Sequence, residues 1–274
     1  MKLKDKLHLL TCRQRGLLAT NFYNLETLHG VLDAAAQLKE PLILQLTRSS
    51  IEYMGLATSV NLARTGLKEF GVEGWLHLDH GDSVELVQNC LDGGFDSVMI
   101  DGSELPFREN IDLTKEVVKR AALYGAHVEA ELGYVAKLGQ SSEQQLFTQP
   151  GQARLFVEET GVDALAIAIG SAHGFYKEAP QLQFELLSEI HAAINTTLVL
   201  HGSSGIPSSQ LKEAISRGIC KINLATEIKN IFMKTLQSIL KNTEEIDLRK
   251  VFPKATEQVT GLVMEKLQIM KNDK

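Results

Sequence analysis

The sequence predicts an α/β protein folded as a single (β/α)8, or TIM, barrel across residues 1–274, with extra N- and C-terminal helices. Three observations carry that expectation. Short apolar runs alternate with longer amphipathic runs, the pattern of a parallel sheet crossed by helices. Eight such runs occur, most of them near-continuously apolar, as strands covered on both faces require. Polar and ligating residues gather where the runs end, whereas their starts (Gly16, Pro41, Gly74, Gly94, Gly125, Thr196 and Gly218) carry mostly turn chemistry. A barrel of this kind builds its active site at the C-terminal ends of its strands and typically needs about 250 residues.

The first strand, 17–22, ends in Asn21 and leads through Asn24, a good N-cap, into the helical pattern 25–39. The second, 41–46, presents Gln45 and Thr47. The third, 74–79, ends in Asp79 and His80 before the helix 83–92. The fourth, 95–101, ends in Asp101, and the helix 111–124 follows. The fifth, 127–132, carries Glu129 and Glu131. After it, residues 134–149 show little apolar periodicity and make a candidate lid ahead of the helix 150–160. The sixth strand, 163–169, runs on to His173. The seventh, 197–201, ends in His201 and is followed by the helix 207–217. The eighth, 219–224, gives Asn223 and then Thr226. Gly71, Gly93-Gly94, Gly125, Gly161 and Gly218 mark helix ends. Outside the eight units, 2–15 reads as an amphipathic helix that plugs the barrel bottom, and 246–271 as a further helix suited to oligomer contacts. A doubly wound open sheet is the alternative. It usually brings a glycine-rich turn after the first strand, and Thr20-Asn-Phe-Tyr-Asn24 offers none.

Net charge is −6 with both signs interspersed, so nucleic-acid binding has no electrostatic support. Cys12, Cys90 and Cys220 are odd in number and far apart, which reads as free thiols in a reducing cytoplasm. Met1-Lys-Leu-Lys-Asp-Lys6 lacks an apolar signal core, and no run of about 18 apolar residues suggests a membrane span.

Three of the histidines share the predicted rim. His80, His173 and His201 each follow an apolar strand and precede a glycine. Three imidazoles with one open position suit a catalytic zinc ion. His8, His29 and His191 fall in helical patterns, and His77 and His127 within strands, where structural roles are expected. Each ligand needs an outer acceptor to fix its tautomer, and Asp101, Glu129 and Glu131 stand on the same rim. Asp79 is the candidate general acid/base. Strand neighbours point to opposite faces, so Asp79 and His80 serve one site only if the chain turns there, which Gly81 permits. The small residues of His201-Gly-Ser-Ser-Gly205 expose backbone N–H groups at a helix N-terminus, and the eighth strand ends in a similar turn; both suit phosphate.

These runs resemble the class II, zinc-dependent fructose- and tagatose-bisphosphate aldolases. The resemblance covers Asn24-Leu-Glu-Thr27, His77-Leu-Asp-His-Gly81, Asp101-Gly-Ser103, Val128-Glu-Ala-Glu-Leu-Gly133, Ala166-Ile-Ala-Ile-Gly-Ser-Ala-His-Gly174, Leu200-His-Gly-Ser-Ser-Gly205 and Lys221-Ile-Asn-Leu-Ala-Thr-Glu227. It implies reversible cleavage of a ketose 1-phosphate or 1,6-bisphosphate to dihydroxyacetone phosphate and an aldehyde. It implies zinc on His80, His173 and His201, with Asp79 as acid/base. It implies dihydroxyacetone phosphate held by Gly174, Gly202, Ser203, Ser204, Asn223, Leu224, Ala225 and Thr226. Asp101 and Glu131 match positions that take a second or displaced metal, and a cytoplasmic homodimer or homotetramer is expected.

The chain also departs from the family pattern. Leu138-Gly-Gln-Ser-Ser-Glu143 has one acid where relatives often carry two. Thr47-Arg48-Ser49-Ser50 stands where relatives place a serine on the distal phosphate, and Met264 where bisphosphate aldolases tend to have an arginine. These departures point to altered recognition of the aldehyde end, with Arg48 a possible compensation. A non-catalytic partner subunit would lack ligands, and this chain has all three histidines. A metal-dependent hydrolase on the same barrel would favour a His-x-His pair on the first strand, which has no histidine.

Overall fold

The computed structural model describes residues 1–133, 147–174, 176 and 180–272. Its strands are β1 (Leu17–Asn21), β2 (Leu42–Leu46), β3 (Gly74–Gly81), β4 (Ser97–Ile100), β5 (His127–Leu132), β6 (Ala164–Ile167), β7 (Thr197–Leu200) and β8 (Ile219–Leu224). They close into a barrel in chain order, and β8 returns to β1 in parallel, pairing Ala19 with Asn223. The fold is the (β/α)8 barrel that the alternation predicts, and β5 and β8 have the predicted bounds.

The helices are α1 (Leu3–Cys12), α2 (Leu25–Leu38), α3 (Arg48–Met54), α4 (Leu56–Glu69), α5 (Val84–Asp92), α6 (Phe107–Ala122), α7 (Pro150–Thr160), α8 (Phe184–Ala193), α9 (Ser208–Ser216), α10 (Thr226–Leu240) and α11 (Leu248–Lys271). Local chemistry sets their starts. Asn24 and Thr27 form a reciprocal capping box on α2, and the Ser83 hydroxyl caps α5 through Leu86 N–H. α1 lies across the barrel bottom, packing Leu3, Leu7 and Leu10 with Leu17, Ile43, Trp75 and Cys220. The main core lies between the barrel and its helices, where outward strand residues such as Leu44, Leu78 and Val98 meet Val31, Val87 and Val259.

β4 and β6 are the most shortened of the five strands that fall inside their predicted runs, and a carboxylate stands just ahead of each. Asp96 accepts from Leu76 N–H at 2.8 Å and Asp163 from Val128 N–H at 3.0 Å, so these acids satisfy strand donors from outside β4 and β6.

The decisive irregularity is in β3. Its register against β4 runs Leu78 to Val98 and then Gly81 to Ile100, so β3 carries one extra residue between them. His80 takes a left-handed conformation there, at φ 50°. This bulge breaks the alternation and lets Asp79 and His80 face one site. It depends on Gly81, where a Cβ would stand 2.4 Å from the Met99 carbonyl oxygen. Gly81→Ala should therefore destabilise the protein by about 1–3 kcal/mol and weaken metal binding. An unchanged denaturation midpoint would show that the bulge tolerates a side chain.

Candidate active site

The open end of the barrel collects the rim residues. His80, His173 and His201 each offer a ring nitrogen, and these atoms all lie within 4.8 Å of one another. His80 Nε2 is 3.0 Å from His201 Nδ1. Their other nitrogens are engaged by carboxylates, His80 Nδ1 by Asp101 at 2.7 Å and His201 Nε2 by Glu129 at 2.8 Å. Each ring is thereby fixed with its second nitrogen toward the cluster. His173 Nε2 is buried with no hydrogen-bond partner among the described residues.

Three inward nitrogens fit a metal ion. A tetrahedral centre with bonds of about 2.0 Å separates its nitrogens by about 3.3 Å, near the spacing of the His80–His201 pair. Burial and the neighbouring rings of His80 and His201 push His173 down to about 3, so this imidazole is neutral, as a ligand must be. Burial lowers His80 too, but Asp101, Asp79 and Glu131 outweigh it and raise it to about 10, so an ion that takes His80 as a ligand must displace its proton. A second group, His80, Asp101 and Glu131, also meets the spacing for a metal. Within it Asp101 is committed to His80 and to the Ser103 hydroxyl, at 2.7 Å each.

Asp79 is 5% exposed, beside the cluster. The Asn21 amide donates to its Oδ2 at 3.0 Å and the Asn223 amide to its Oδ1 at 3.4 Å. Burial would raise this carboxyl, yet the facing His80 and His201 rings and the Lys221 ammonium hold it below the usual carboxylate range. Asp79 is thus an ionised base at neutral pH.

The barrel interior beneath the rim is polar. His77 and His127 both meet the Ser97 hydroxyl, at 2.8 and 3.3 Å, and burial keeps both neutral, in line with the structural roles expected of them. Lys221 pairs with Glu129 at 2.8 Å. Among the described residues His8, His29 and His191 sit on α1, α2 and α8, away from the rim.

Beside Asp79 opens a cavity of about 240 Å³ whose lining includes Gly174, Gly202, Ser203, Ser204, Asn223, Ala225 and Thr226. The ends of β6, β7 and β8 thus bring seven of the eight expected phosphate-side residues together. Leu224 is not part of that lining. Its side chain is fully buried in the apolar layer and its carbonyl accepts from Thr20 Oγ1, because strand alternation turns it away from the cavity. The backbone at Gly202 is left-handed, at φ 68°, and a Cβ there would come within 2.4 Å of the Ala172 carbonyl oxygen. This close approach is what brings the loops after β6 and β7 together.

The sequence reading missed Lys229. It lines the same cavity from the first turn of α10, its Nζ 5.3 Å from the Tyr23 ring centre. Its signal was legible: a lysine three residues beyond Thr226, on the helix that opens at a predicted anion site. Lys229→Met should raise KM for a phosphorylated substrate about tenfold, the scale of one charge-assisted hydrogen bond, with kcat little changed. An unchanged KM would remove Lys229 from the phosphate site.

A larger cavity, of about 680 Å³, adjoins on the other side of His80 and His173. Its lining includes Thr47, Ser49, Asp82, Asp101, Glu104 and Glu131 but no lysine or arginine among the described residues. Arg48 stands outside it, its guanidinium held by Asp82. Met264 is half-buried against the core on α11. The expected lid, and with it Glu143, falls on 134–149, of which 134–146 lie outside the described residues. Among the described residues no helix is long and apolar enough to cross a membrane.

Comparison with known proteins places the chain and its fold among aldolases. The family model described as fructose-bisphosphate aldolase class-II matches residues 2–274. The D-tagatose-1,6-bisphosphate aldolase subunit GatY of Klebsiella oxytoca is 43% identical over 223 residues, which is 80% of this chain and 78% of that protein. The crystal structure of the YdjI aldolase from Escherichia coli K12 superposes with a TM-score of 0.87 at 32% identity, covering 98% of this chain and 96% of that one. The fructose-bisphosphate aldolase of Campylobacter jejuni, at 22% identity and a TM-score of 0.83 over 98% of this chain and 93% of that one, shares the fold.

Proposed function

This chain belongs to the class II fructose-bisphosphate aldolase family, and from that premise we propose that it reversibly cleaves a ketose 1,6-bisphosphate of the tagatose or fructose type to dihydroxyacetone phosphate and an aldehyde, using zinc held by His80, His173 and His201. The enzyme is a carbon–carbon lyase, and its family acts on phosphorylated sugars. The observation that carries the zinc reading is the convergent trio of imidazoles, His201 buried and His80 and His173 partly so, two of them fixed by Asp101 and Glu129, next to an ionised Asp79.

Each residue then has a task. When bound, zinc supplies the Lewis acidity that stabilises the enediolate charge left on the ketose half. Asp79 takes the hydroxyl proton of the aldehyde half as its carbonyl forms, and returns it in condensation. Asn21 and Asn223 donate to the two oxygens of Asp79 and so hold it in place. The loop from Gly202 to Ser204, the α10 N-terminus and Lys229 receive the phosphate of dihydroxyacetone phosphate. Asp101 and Glu131 serve as outer partners or as an alternate metal position beside His80. A homodimer or homotetramer is supported by exposed Met233, Leu240, Ile246 and Leu248 around the α10–α11 junction. A monomer mass in sedimentation would oppose it.

One observation favours a second reading of the aldehyde end. The lining of the 680 Å³ cavity includes four carboxylates, and Arg48, between its lining residues Thr47 and Ser49, is already paired with Asp82. Such a surface suits an uncharged, hydroxylated aldehyde better than a second phosphate. Rates of dihydroxyacetone phosphate release from tagatose and fructose 1,6-bisphosphates and from the matching ketose 1-phosphates test both readings. Preference on the order of a thousandfold for a bisphosphate, about 4 kcal/mol of discrimination, would sink the second. No release from any of them by the zinc-loaded protein would sink the first.

A further inference from the structure

Lys221 on β8 is 1% exposed, a full positive charge sealed within the barrel. Its Nζ lies 2.8 Å from Glu129 Oε2 on β5, and the other oxygen of that carboxylate, Oε1, lies 2.8 Å from His201 Nε2. With the Gln45 amide turned to satisfy its neighbours, its oxygen accepts from Lys221 Nζ at 3.3 Å and from Asn223 Nδ2 at 3.1 Å. The line from Lys221 through Glu129 to His201 is sealed from the surface, Glu129 and His201 both being fully buried.

Stability alone does not account for this arrangement. A buried ion pair is costly to desolvate, and packed apolar residues of similar volume often replace one without loss. The distinctive feature is the third member. Asn223 Nδ2 also stands 3.0 Å from His201 Nε2, but its two hydrogens go to Asp79 and Gln45; an Nε2–H held by Glu129 then leaves the lone pair of His201 on Nδ1, the atom 3.0 Å from His80 Nε2. Rotation of the Glu129 carboxylate would take Oε1 off His201, and the charge that opposes it is the Lys221 ammonium 2.8 Å from Oε2, an ion pair without hydrogen-bond geometry.

We propose that Lys221 is a positioning residue of the metal centre, holding Glu129 so that His201 presents Nδ1 to the ion. The inference rests on the reading of the three histidines as zinc ligands. It assigns a task to a lysine that touches neither substrate nor metal.

The test compares the full-length wild type with Lys221→Met, Glu129→Gln and the double variant. Zinc affinity is read by competition with a chromophoric chelator, and metal-free melting temperature is read in parallel. Lys221→Met and Glu129→Gln should each weaken zinc about 10–100-fold, the usual cost of an outer partner. The double variant should bind zinc as Glu129→Gln does, because Lys221 acts through Glu129. Excess zinc should restore most of the kcat of Lys221→Met. A Lys221→Met protein with wild-type zinc affinity and only a lowered melting temperature would overturn the inference and leave Lys221 a structural residue. So would a double variant much weaker than Glu129→Gln. That last comparison decides the matter if Lys221→Met alone does not fold. A wild type that takes up no zinc would overturn the ligand reading and this inference with it; a wild type and Lys221→Met that bind zinc equally overturn this inference alone.

Discussion

Asp79→Asn should lower kcat by about 10²–10⁴-fold, the usual contribution of a positioned general base, while zinc stays bound. The substitution keeps the shape of the side chain and removes its capacity to take a proton. Asp79 lies outside the imidazole cluster and is gripped by amide donors from Asn21 and Asn223 rather than by ligand geometry. Metal content should therefore be preserved, and KM should change far less than kcat. The loss should appear equally in cleavage and condensation, since one carboxylate serves both directions. Single-turnover rates on zinc-saturated protein give the answer. A fall of less than about tenfold would mean that the proton leaves by another group.

His173→Ala should abolish activity and weaken zinc by well over the about 10–100-fold expected for an outer partner. Of the three ligands it gives the cleanest test. His80 and His201 are tied to Asp101 and Glu129, so removing either also takes a partner from its carboxylate. His173 Nε2 has no hydrogen-bond partner among the described residues, so its loss removes a ligand and little else. The melting temperature of the metal-free variant should stay close to that of the metal-free wild type. Tight zinc binding by His173→Ala would move the centre to the alternate group of His80, Asp101 and Glu131.

The rim was legible because strand ends are written locally. An apolar run, a ligating residue and a glycine recur at His80, at His173 and at His201, and the closed barrel brings all three rings together. The paired acids were legible only as a set. Asp101 on His80 and Glu129 on His201 are choices made across strands, which no local pattern specifies. The β3 bulge was visible only as a need. Asp79 and His80 had to face one site, but a left-handed histidine leaves no mark in residue type, and only Gly81 hinted at it. Helices α3 and α4, which span Arg48–Met54 and Leu56–Glu69, went unnamed between the second and third strands; α4 buries little beyond Ser59, Ala63, Gly66 and Leu67, too thin a stripe to stand out. Lys221 sat inside a quoted motif without a role. A lysine in a strand reads as an exposed edge until the barrel closes around it.

The most direct test of the central claim is dihydroxyacetone phosphate release from tagatose 1,6-bisphosphate by one preparation in three states: zinc-loaded, stripped by chelator, and reloaded. The zinc-dependent aldolase account predicts release in the first state, its loss in the second and its return in the third, with the same cycle weakened or absent in His173→Ala. Undiminished release by the stripped protein would contradict it, and would place catalysis on groups other than the three imidazoles.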